Sequence, residues 1–479
     1  MSTSTGIYID GAWRAAAEHR ENINPSDRSD VIGLFARAER SAVDDAVDAA
    51  ARAFPAWSRT SPQRRADLLE AVAAGITAQA DDLARLLARE EGKTLPEAKG
   101  EVMRAAHIFR FFSGEALRVV GERQASTREG VAVNLLREPL GVVGVIAPWN
   151  FPIAIPAWKS APALAYGNTV VLKPAELVPA SAVALARIIH DAGFPPGVFN
   201  LVTGSGAVIG DAIASHEGVA AVTFTGSEPV GRRVAQTAVA RLAEVQLEMG
   251  GKNPLIVLAD ADIDVAVDCA VNGAFFSTGQ RCTASSRLVV EESIHDVFVE
   301  KTLARLAQLR VGHALEDGVD IGPVVDERQL ETDLRYIGIA GETAGSEVHG
   351  GEVLERATKG NFLAPALITG AGNDDRVSRE EVFGPVASVI RVADYDEAVS
   401  VANDTEFGLV AGICTTSLRA AEDFQSRSDT GMVMVNLPTA GVDPHVAFGG
   451  RKGSSFGPRE QGAHARDFFT QTKTAYVRP

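Results

Sequence analysis

From Pro62 to Glu91 apolar residues recur at helical spacing in a run rich in Ala, Leu and Arg, preceded by Ser61 and followed by Gly92. A serine before a first-turn proline caps a helix start and a glycine caps its end, so the pattern predicts one long helix. A second amphipathic stretch, residues 96–118, gathers Phe109, Phe111 and Phe112 as candidate core or pocket wall. From Val142 the period changes. Short β-branched runs at residues 142–147, 169–172, 198–202 and 221–225 occur with helical stretches at 179–191 and 230–243. Such alternation predicts right-handed βαβ units, hence a parallel sheet covered by helices on both faces. A second series starts at residues 253–258, adds a helix near Asp262 and strands near 287–290 and 387–392, and ends at 431–436. A second α/β domain is therefore expected.

Two segments fit neither series. Residues 124–137 and 468–477 alternate polar and apolar positions as strands do. They read as an arm that pairs with another subunit, or as surface hairpins of a monomer.

With 479 residues the chain has room for two or three domains, and 46% hydrophobic residues suit a large globular core. Its 62 acidic residues outnumber 46 basic ones, a net charge of −16 that argues against a nucleic-acid partner. Cys269, Cys282 and Cys414 are too few and too widely spaced for a disulfide framework or a zinc site, so no metal is expected. The stretch from Met1 to Gly11 has neither a basic start nor an apolar run. A reducing cytoplasm is the expected location. The apolar stretch at residues 139–158 is interrupted by Pro148, Pro152 and Pro156, so it reads as a strand and a loop and not as a membrane span.

Cys282 follows an apolar helical stretch in a loop of small residues, with Arg281 beside it. A neighbouring cation and a helix end can lower a thiol pKa, which makes Cys282 a candidate nucleophile; Cys269 and Cys414 lie in apolar runs and read as inert core. Glu248 closes a strand pattern next to Gly250 and Gly251, where a partly desolvated carboxylate can act as a base. Asn150, between Pro148 and Pro152, offers a rigidly held amide of the kind that stabilises an oxyanion. No Gly-x-Gly-x-x-Gly follows a strand. Instead Gly226, Ser227 and Gly231 open a helix after a strand, a place for pyrophosphate, and Lys173 with Glu176 could hold ribose hydroxyls.

Taken in order, Pro-Trp-Asn-Phe-Pro at 148, Lys-Pro-Ala-Glu at 173, Phe-Thr-Gly-Ser at 224, Glu-Met-Gly-Gly-Lys at 248, Gly-Gln-Arg-Cys at 279, Glu-Val-Phe-Gly-Pro at 381 and Phe-Gly-Gly-Arg-Lys at 448 resemble the NAD(P)-dependent aldehyde dehydrogenase superfamily over nearly the whole chain. The resemblance implies a Rossmann-like nicotinamide-binding domain at residues 1–123 and 142–250, an α/β catalytic domain at 251–440, and an oligomerisation arm at 124–141 and 464–479. It implies Cys282 as nucleophile, Glu248 as base, and Asn150 with the Cys282 N–H as oxyanion hole. Trp149, Lys173, Glu176, Gly226, Ser227, Gly231, Glu381 and Phe383 would hold the cofactor. A homodimer or homotetramer is implied as well. Met249 stands where Leu is commoner, a volume-conserving change.

Within that family, residues 436–445 and 448–462 look like those of α-ketoglutaric semialdehyde (2,5-dioxopentanoate) dehydrogenases, as do residues 111–118. An acidic aldehyde needs a cation, for which Arg281 and Arg104 are the candidates, with Phe151 and Phe448 as further substrate contacts. Succinic semialdehyde or another small aldehyde is the competing substrate. CoA-acylating relatives usually do without the deacylating glutamate, present here as Glu248. A non-catalytic binding protein of the same fold is the reading from another class, set against three intact chemical residues. Glu176 favours NAD, because a carboxylate repels a 2′-phosphate; NADP stays open.

Overall fold

The computed structural model describes residues 4–479. Strands Val142–Ile146, Thr169–Lys173, Phe199–Leu201, Ala221–Thr225 and Glu244–Glu248 form the parallel centre of an eight-stranded sheet, at or close to the positions predicted from sequence. Strand Val142–Ile146 lies between Thr169–Lys173 on one side and Ala221–Thr225 on the other. The strand order therefore reverses beside Val142–Ile146, and the crevice outside the carboxyl ends of the two strands there is where open α/β sheets bind ligands.

Both faces of this sheet are covered. Helices Pro62–Ala78, Ala80–Glu91, Leu95–Ala116, Ala154–Ala165 and Pro179–Asp191 pack on one face, while Arg40–Trp57 and Glu228–Val239 contribute to the core on the other. Burial on two faces explains why the strands read as continuous apolar runs. Phe109 and Phe112 are fully buried, and Phe111 packs at the edge of the same core.

The single helix expected at residues 62–91 is two. Ser61 accepts from the Arg64 N–H, Pro62 opens the helix and Gly92 ends it with φ 99°, all as expected. At Gln79, however, the backbone leaves the helical region with φ −110° and ψ 18°. The change of direction lets Leu83, Ala84, Leu87 and Ala88 of the second segment reach the core. Nothing in the local composition marks that bend.

The second sheet has seven strands, with Asn253–Val257, Ser285–Glu291, Val386–Val392, Ala366–Thr369, Val410–Cys414 and Met432–Val435 in parallel and Glu347–Gly350 antiparallel at the edge. Only residues 249–252 separate the two sheets along the chain. The chain then returns: Arg451–Lys452 pairs with Phe407–Gly408, and Ser455–Phe456 adds an edge strand beside Glu244–Glu248 of the first sheet.

The two unassigned segments pair with each other. Thr470–Val477, Ala132–Pro139 and Glu122–Ala125 form a three-stranded antiparallel sheet on which Leu136, Tyr476 and Val477 are exposed. Among the described residues no helix is long and apolar enough to cross a membrane, and no group of His, Cys, Asp and Glu could hold a metal ion.

Candidate active site

The loop after strand Val142–Ile146 carries Trp149 and Asn150, and the loop after Ala221–Thr225 carries Gly226 and Ser227. Both border a cavity of about 250 Å³ at the switch point, with Thr225, Met249, Gly250, Cys282, Glu381 and Phe383. A second cavity, of about 450 Å³, is lined by Arg104, Phe151, Trp158, Arg281, Cys282 and Phe448, among others. Cys282 belongs to both walls. Cys282 is thus the residue at which the two cavities meet.

The loop before Cys282 is held in an unusual backbone. Ser277, Thr278 and Gly279 have φ of 51°, 58° and 64°, a left-handed run that is costly for the two non-glycine residues. Glu97 secures it: its Oε1 accepts from the Ser277 N–H at 2.7 Å and the Ser277 hydroxyl at 3.0 Å. The same oxygen takes the Arg281 guanidinium at 3.3 Å. Arg281 is therefore paired, and the thiol is not lowered as expected from the sequence. Burial, then the charges of Glu248 and Glu381, push it up to about 12. The resting sulfur is a protonated thiol that needs a base.

Asn150 is 3% exposed. Its Nδ2 donates to the Gln280 carbonyl at 2.9 Å, aiming the amide at the loop of the nucleophile. Glu248 is also 3% exposed, so it is no surface turn residue. Its Oε2 accepts from the Ser455 hydroxyl at 2.7 Å, and burial followed by the neighbouring charge of Glu460 holds its carboxyl well above the ordinary range. Behind it Lys159 pairs with Glu460 and donates to Thr223 Oγ1 at 2.8 Å. Lys159 was legible as a lone charge in the apolar helix Ala154–Ala165, but its partner lies 301 residues away in sequence.

On the first cavity, Glu381 Oε1 accepts from the Gly251 N–H at 2.9 Å, and burial pushes its carboxyl up to about 7. A Cβ on Gly250 would come within 2.1 Å of Glu381 Oε1, so any larger residue there would displace that carboxylate. Phe383, with φ 64°, meets Trp149 edge-on at 5.4 Å between ring centres. Two features fit a nucleotide. Thr225 Oγ1 is buried without a partner in this wall, and Ser227 leaves the N-terminus of helix Glu228–Val239 without a side-chain cap. Gly231 is placed differently: it is buried, and a Cβ would come within 2.5 Å of Met249 Sδ, so it lets the helix lie against the strand end. Gln329 and Thr332, in the same wall, had no sequence signal.

Lys173 and Glu176 do not line either cavity at Cys282. Lys173 is buried, pushed down to about 8 by that burial, and donates to the Pro174 carbonyl at 2.8 Å. Glu176 sits 3.1 Å from Arg20 Nη1 and 3.2 Å from Arg37 Nε, so its charge is countered and the argument from bare repulsion of a 2′-phosphate does not hold.

On the second cavity, Arg104 Nη1 donates to the Val442 carbonyl and Nη2 to Gln461 Oε1 at 3.1 Å, while its Nε is buried without a partner. Its guanidinium stacks over Trp158 at 5.8 Å, and Trp158 meets Phe448 at 5.6 Å. Lys93, missed in the sequence, lies 4.0 Å over the Phe151 ring. The lining thus holds three cations, Lys93, Arg104 and Arg281, against the carboxylates Glu97 and Glu101.

A doubly wound sheet is thus joined to a second α/β sheet, with a thiol, a buried carboxylate and an amide at their junction. The chain matches the description "Aldehyde dehydrogenase family" over residues 13–475, and it belongs to that family of oxidoreductases. It is 43% identical over 476 residues to the alpha-ketoglutaric semialdehyde dehydrogenase of Bacillus subtilis, covering 98% of each chain. It is 39% identical over 466 residues to the 2,5-dioxopentanoate dehydrogenase of Saccharolobus solfataricus, covering 97% of each. Among solved structures, betaine aldehyde dehydrogenase from Staphylococcus aureus in complex with NAD+ superposes with a TM-score of 0.96 at 32% identity, over 99% of this chain and 95% of that one. An E. coli NADP dependent enzyme does so with 0.96 at 35% identity, over 99% and 98%.

Proposed function

We propose that the chain oxidises α-ketoglutaric semialdehyde to 2-oxoglutarate with NAD, through a covalent intermediate on Cys282. The observation that carries this reading is the position of Cys282 in the walls of both cavities. The aldehyde enters from the side of Arg104 and Phe448; the nicotinamide end of the cofactor belongs to the side of Trp149, Glu381 and Phe383. Gly226 and Ser227 would hold the pyrophosphate, and Lys173 and Glu176 the adenosine ribose, in the domain built on the first sheet. When bound, the cofactor supplies a hydride acceptor.

Cys282 loses its proton to Glu248, whose elevated pKa brings it nearer to that task than an exposed carboxylate. The sulfur adds to the aldehyde carbon, and the oxygen becomes an alkoxide that the second N–H of Asn150 and the Cys282 N–H stabilise. Loss of hydride leaves a thioester on Cys282. Glu248 gives that first proton to solvent and takes another from water, the hydroxide attacks the thioester, and the carboxylic acid leaves as the expelled thiolate takes the second proton back from Glu248 and the thiol re-forms. Arg104, in the wall of the second cavity, supplies the cation for the distal carboxylate of the substrate. The two relatives from Bacillus subtilis and Saccharolobus solfataricus support this substrate, since both carry it in their names. The exposed apolar residues of the three-stranded arm support assembly into a homodimer or homotetramer through that sheet.

The test compares kcat/KM for α-ketoglutaric semialdehyde, succinic semialdehyde and an uncharged aldehyde of equal length, in the parent and in Arg104→Met. The parent should prefer the first by tenfold or more, about 1.4 kcal/mol of transition-state binding, and Arg104→Met should erase the preference over the uncharged aldehyde. Equal turnover of all three by the parent would overturn the substrate assignment. Full activity in Cys282→Ala would overturn the chemistry.

A further inference from the structure

Strand Ser455–Phe456 lies at the edge of the first sheet in antiparallel register, with Phe456 opposite Leu247 and Ser455 opposite Glu248. Residues directly opposite in such a pair stand on one face with their Cβ atoms about 5 Å apart. The hydroxyl of Ser455 therefore reaches the carboxylate of Glu248 across the ladder, at 2.7 Å. Among the described residues this is the one hydrogen bond that the Glu248 carboxylate accepts. The turn before the strand leaves room for the same group: Gly449 has φ 147°, and a Cβ there would stand 2.8 Å from Glu248 Oε1.

A second contact fixes the direction of that bond. The Gly450 N–H donates to Ser455 Oγ at 2.6 Å, which leaves the hydroxyl proton to point at Glu248 Oε2. The neighbouring Ser454 carries the ties between the sheets: its carbonyl accepts from the Met249 N–H at 2.7 Å, and its hydroxyl donates to the Gly250 carbonyl at 2.8 Å and accepts from the Gly408 N–H at 3.0 Å. The charged and titratable groups facing Glu248 are Glu460, which opposes its ionisation, Lys159 and Arg459, which favour it, and the Cys282 thiol. Lys159 is already paired with Glu460, and Arg459 donates to the Gly450 carbonyl. Ser455 is thus the group bonded directly to the carboxylate.

We infer that Ser455 is a positioning residue for the base: its hydroxyl holds the Glu248 carboxylate in one orientation and favours the ionised form that accepts a proton. Ser455 keeps its own proton throughout and acts only through Glu248. A hydrogen bond donated to a carboxylate stabilises its charge, and in buried, low-dielectric surroundings a single such bond weighs more than it would in water. The inference rests on the assignment of Glu248 as the base.

The experiment follows the single-turnover acylation rate and kcat against pH on the full chain, with NAD+ and the aldehyde that the parent turns over fastest. It compares the parent with Ser455→Ala, Ser455→Thr, Glu248→Gln and the double variant Glu248→Gln/Ser455→Ala. Ser455→Ala should move the rise of the rates to higher pH by about one unit, so that activity is down about tenfold on the acid side and returns to the parent's on the alkaline side. Ser455 is half-buried at a sheet edge, so the thermal unfolding midpoint of Ser455→Ala should stay at the parent's. Ser455→Thr, which keeps the hydroxyl, should restore the parent's profile. In the Glu248→Gln background, Ser455→Ala should change the rates by less than about twofold, because no carboxylate is left to act through. A Ser455→Ala profile superimposable on the parent's, or rates lowered by one factor at every pH, would overturn the inference; a shifted Glu248→Gln profile would then leave Glu248 standing as the base. A Glu248→Gln profile equal to the parent's would sink both.

Discussion

Lys93 and Asn150 are joined by a buried hydrogen bond, in which the ammonium donates to the main-chain oxygen of Asn150 at 2.7 Å. Lys93 gives a second to Glu101 Oε2 at 2.6 Å, and Glu101 Oε1 accepts from the N–H groups of Ile153 and Ala154 at 3.0 and 3.1 Å. One ion pair therefore holds both ends of the loop that carries the amide. The side chains of Lys93 and Glu101 are each 1% exposed.

Removing one member of such a pair leaves the other charge buried and uncompensated. Lys93→Met should lower stability by about 3–5 kcal/mol, measured by urea unfolding. An unchanged unfolding midpoint would show that the pair does not tie the loop down.

Asn150→Ala removes the amide proposed to stabilise the alkoxide and leaves the fold's main contacts in place. The single-turnover rate of acylation should fall by about a hundredfold to a thousandfold, with a smaller change in aldehyde affinity. A rate equal to the parent's would remove Asn150 from the chemistry.

The pH dependence of acylation has a fixed sign. The Cys282 thiol is pushed up to about 12 and Glu248 is raised, so the reactive thiolate and the carboxylate base both become more populated as pH rises. The rate should climb with pH across the range in which the enzyme stays folded, and Glu248→Gln should shift the rise to higher pH. A profile flat over that range in the parent would contradict the assignment of thiol and base.

Asp333 offers a test by stability instead of rate. It is fully buried, its Oδ1 accepts from Gln329 at 2.9 Å and its Oδ2 has no partner; burial pushes its carboxyl up to about 8. A group whose folded pKa is raised binds a proton in the folded state that the unfolded chain has released. Its contribution is thus present at low pH and lost as pH rises, by up to about 1.4 kcal/mol per unit between roughly pH 4 and 8. Asp333→Asn should flatten that decline in denaturant unfolding measured across the range. A slope equal to the parent's would place Asp333 outside this linkage.

Much of the fold was legible in the chain itself. A strand buried on both faces must be a run of β-branched residues, and a helix that starts at Ser61 or Asp262 needs its cap in the adjacent sequence, so Ala221–Thr225, Pro179–Asp191 and the start of Ile263–Phe275 follow from neighbours within a few positions. The bend at Gln79 did not follow, because it answers to the core that Leu83 and Leu87 must reach.

The same division holds at the site. Local sequence determined which groups are candidates for the chemistry: the thiol of Cys282, the carboxylate of Glu248 beside two glycines, and the amide of Asn150 between prolines. Only the tertiary structure decided their state. Arg281 beside the thiol in sequence is spent on Glu97, Glu248 is raised by burial and then by Glu460, and Glu176 lies between Arg20 and Arg37. The reason is physical: a residue's chemical type is local, whereas its pKa is set by burial and by charges within a few ångströms, and those arrive from strands and loops far apart along the chain.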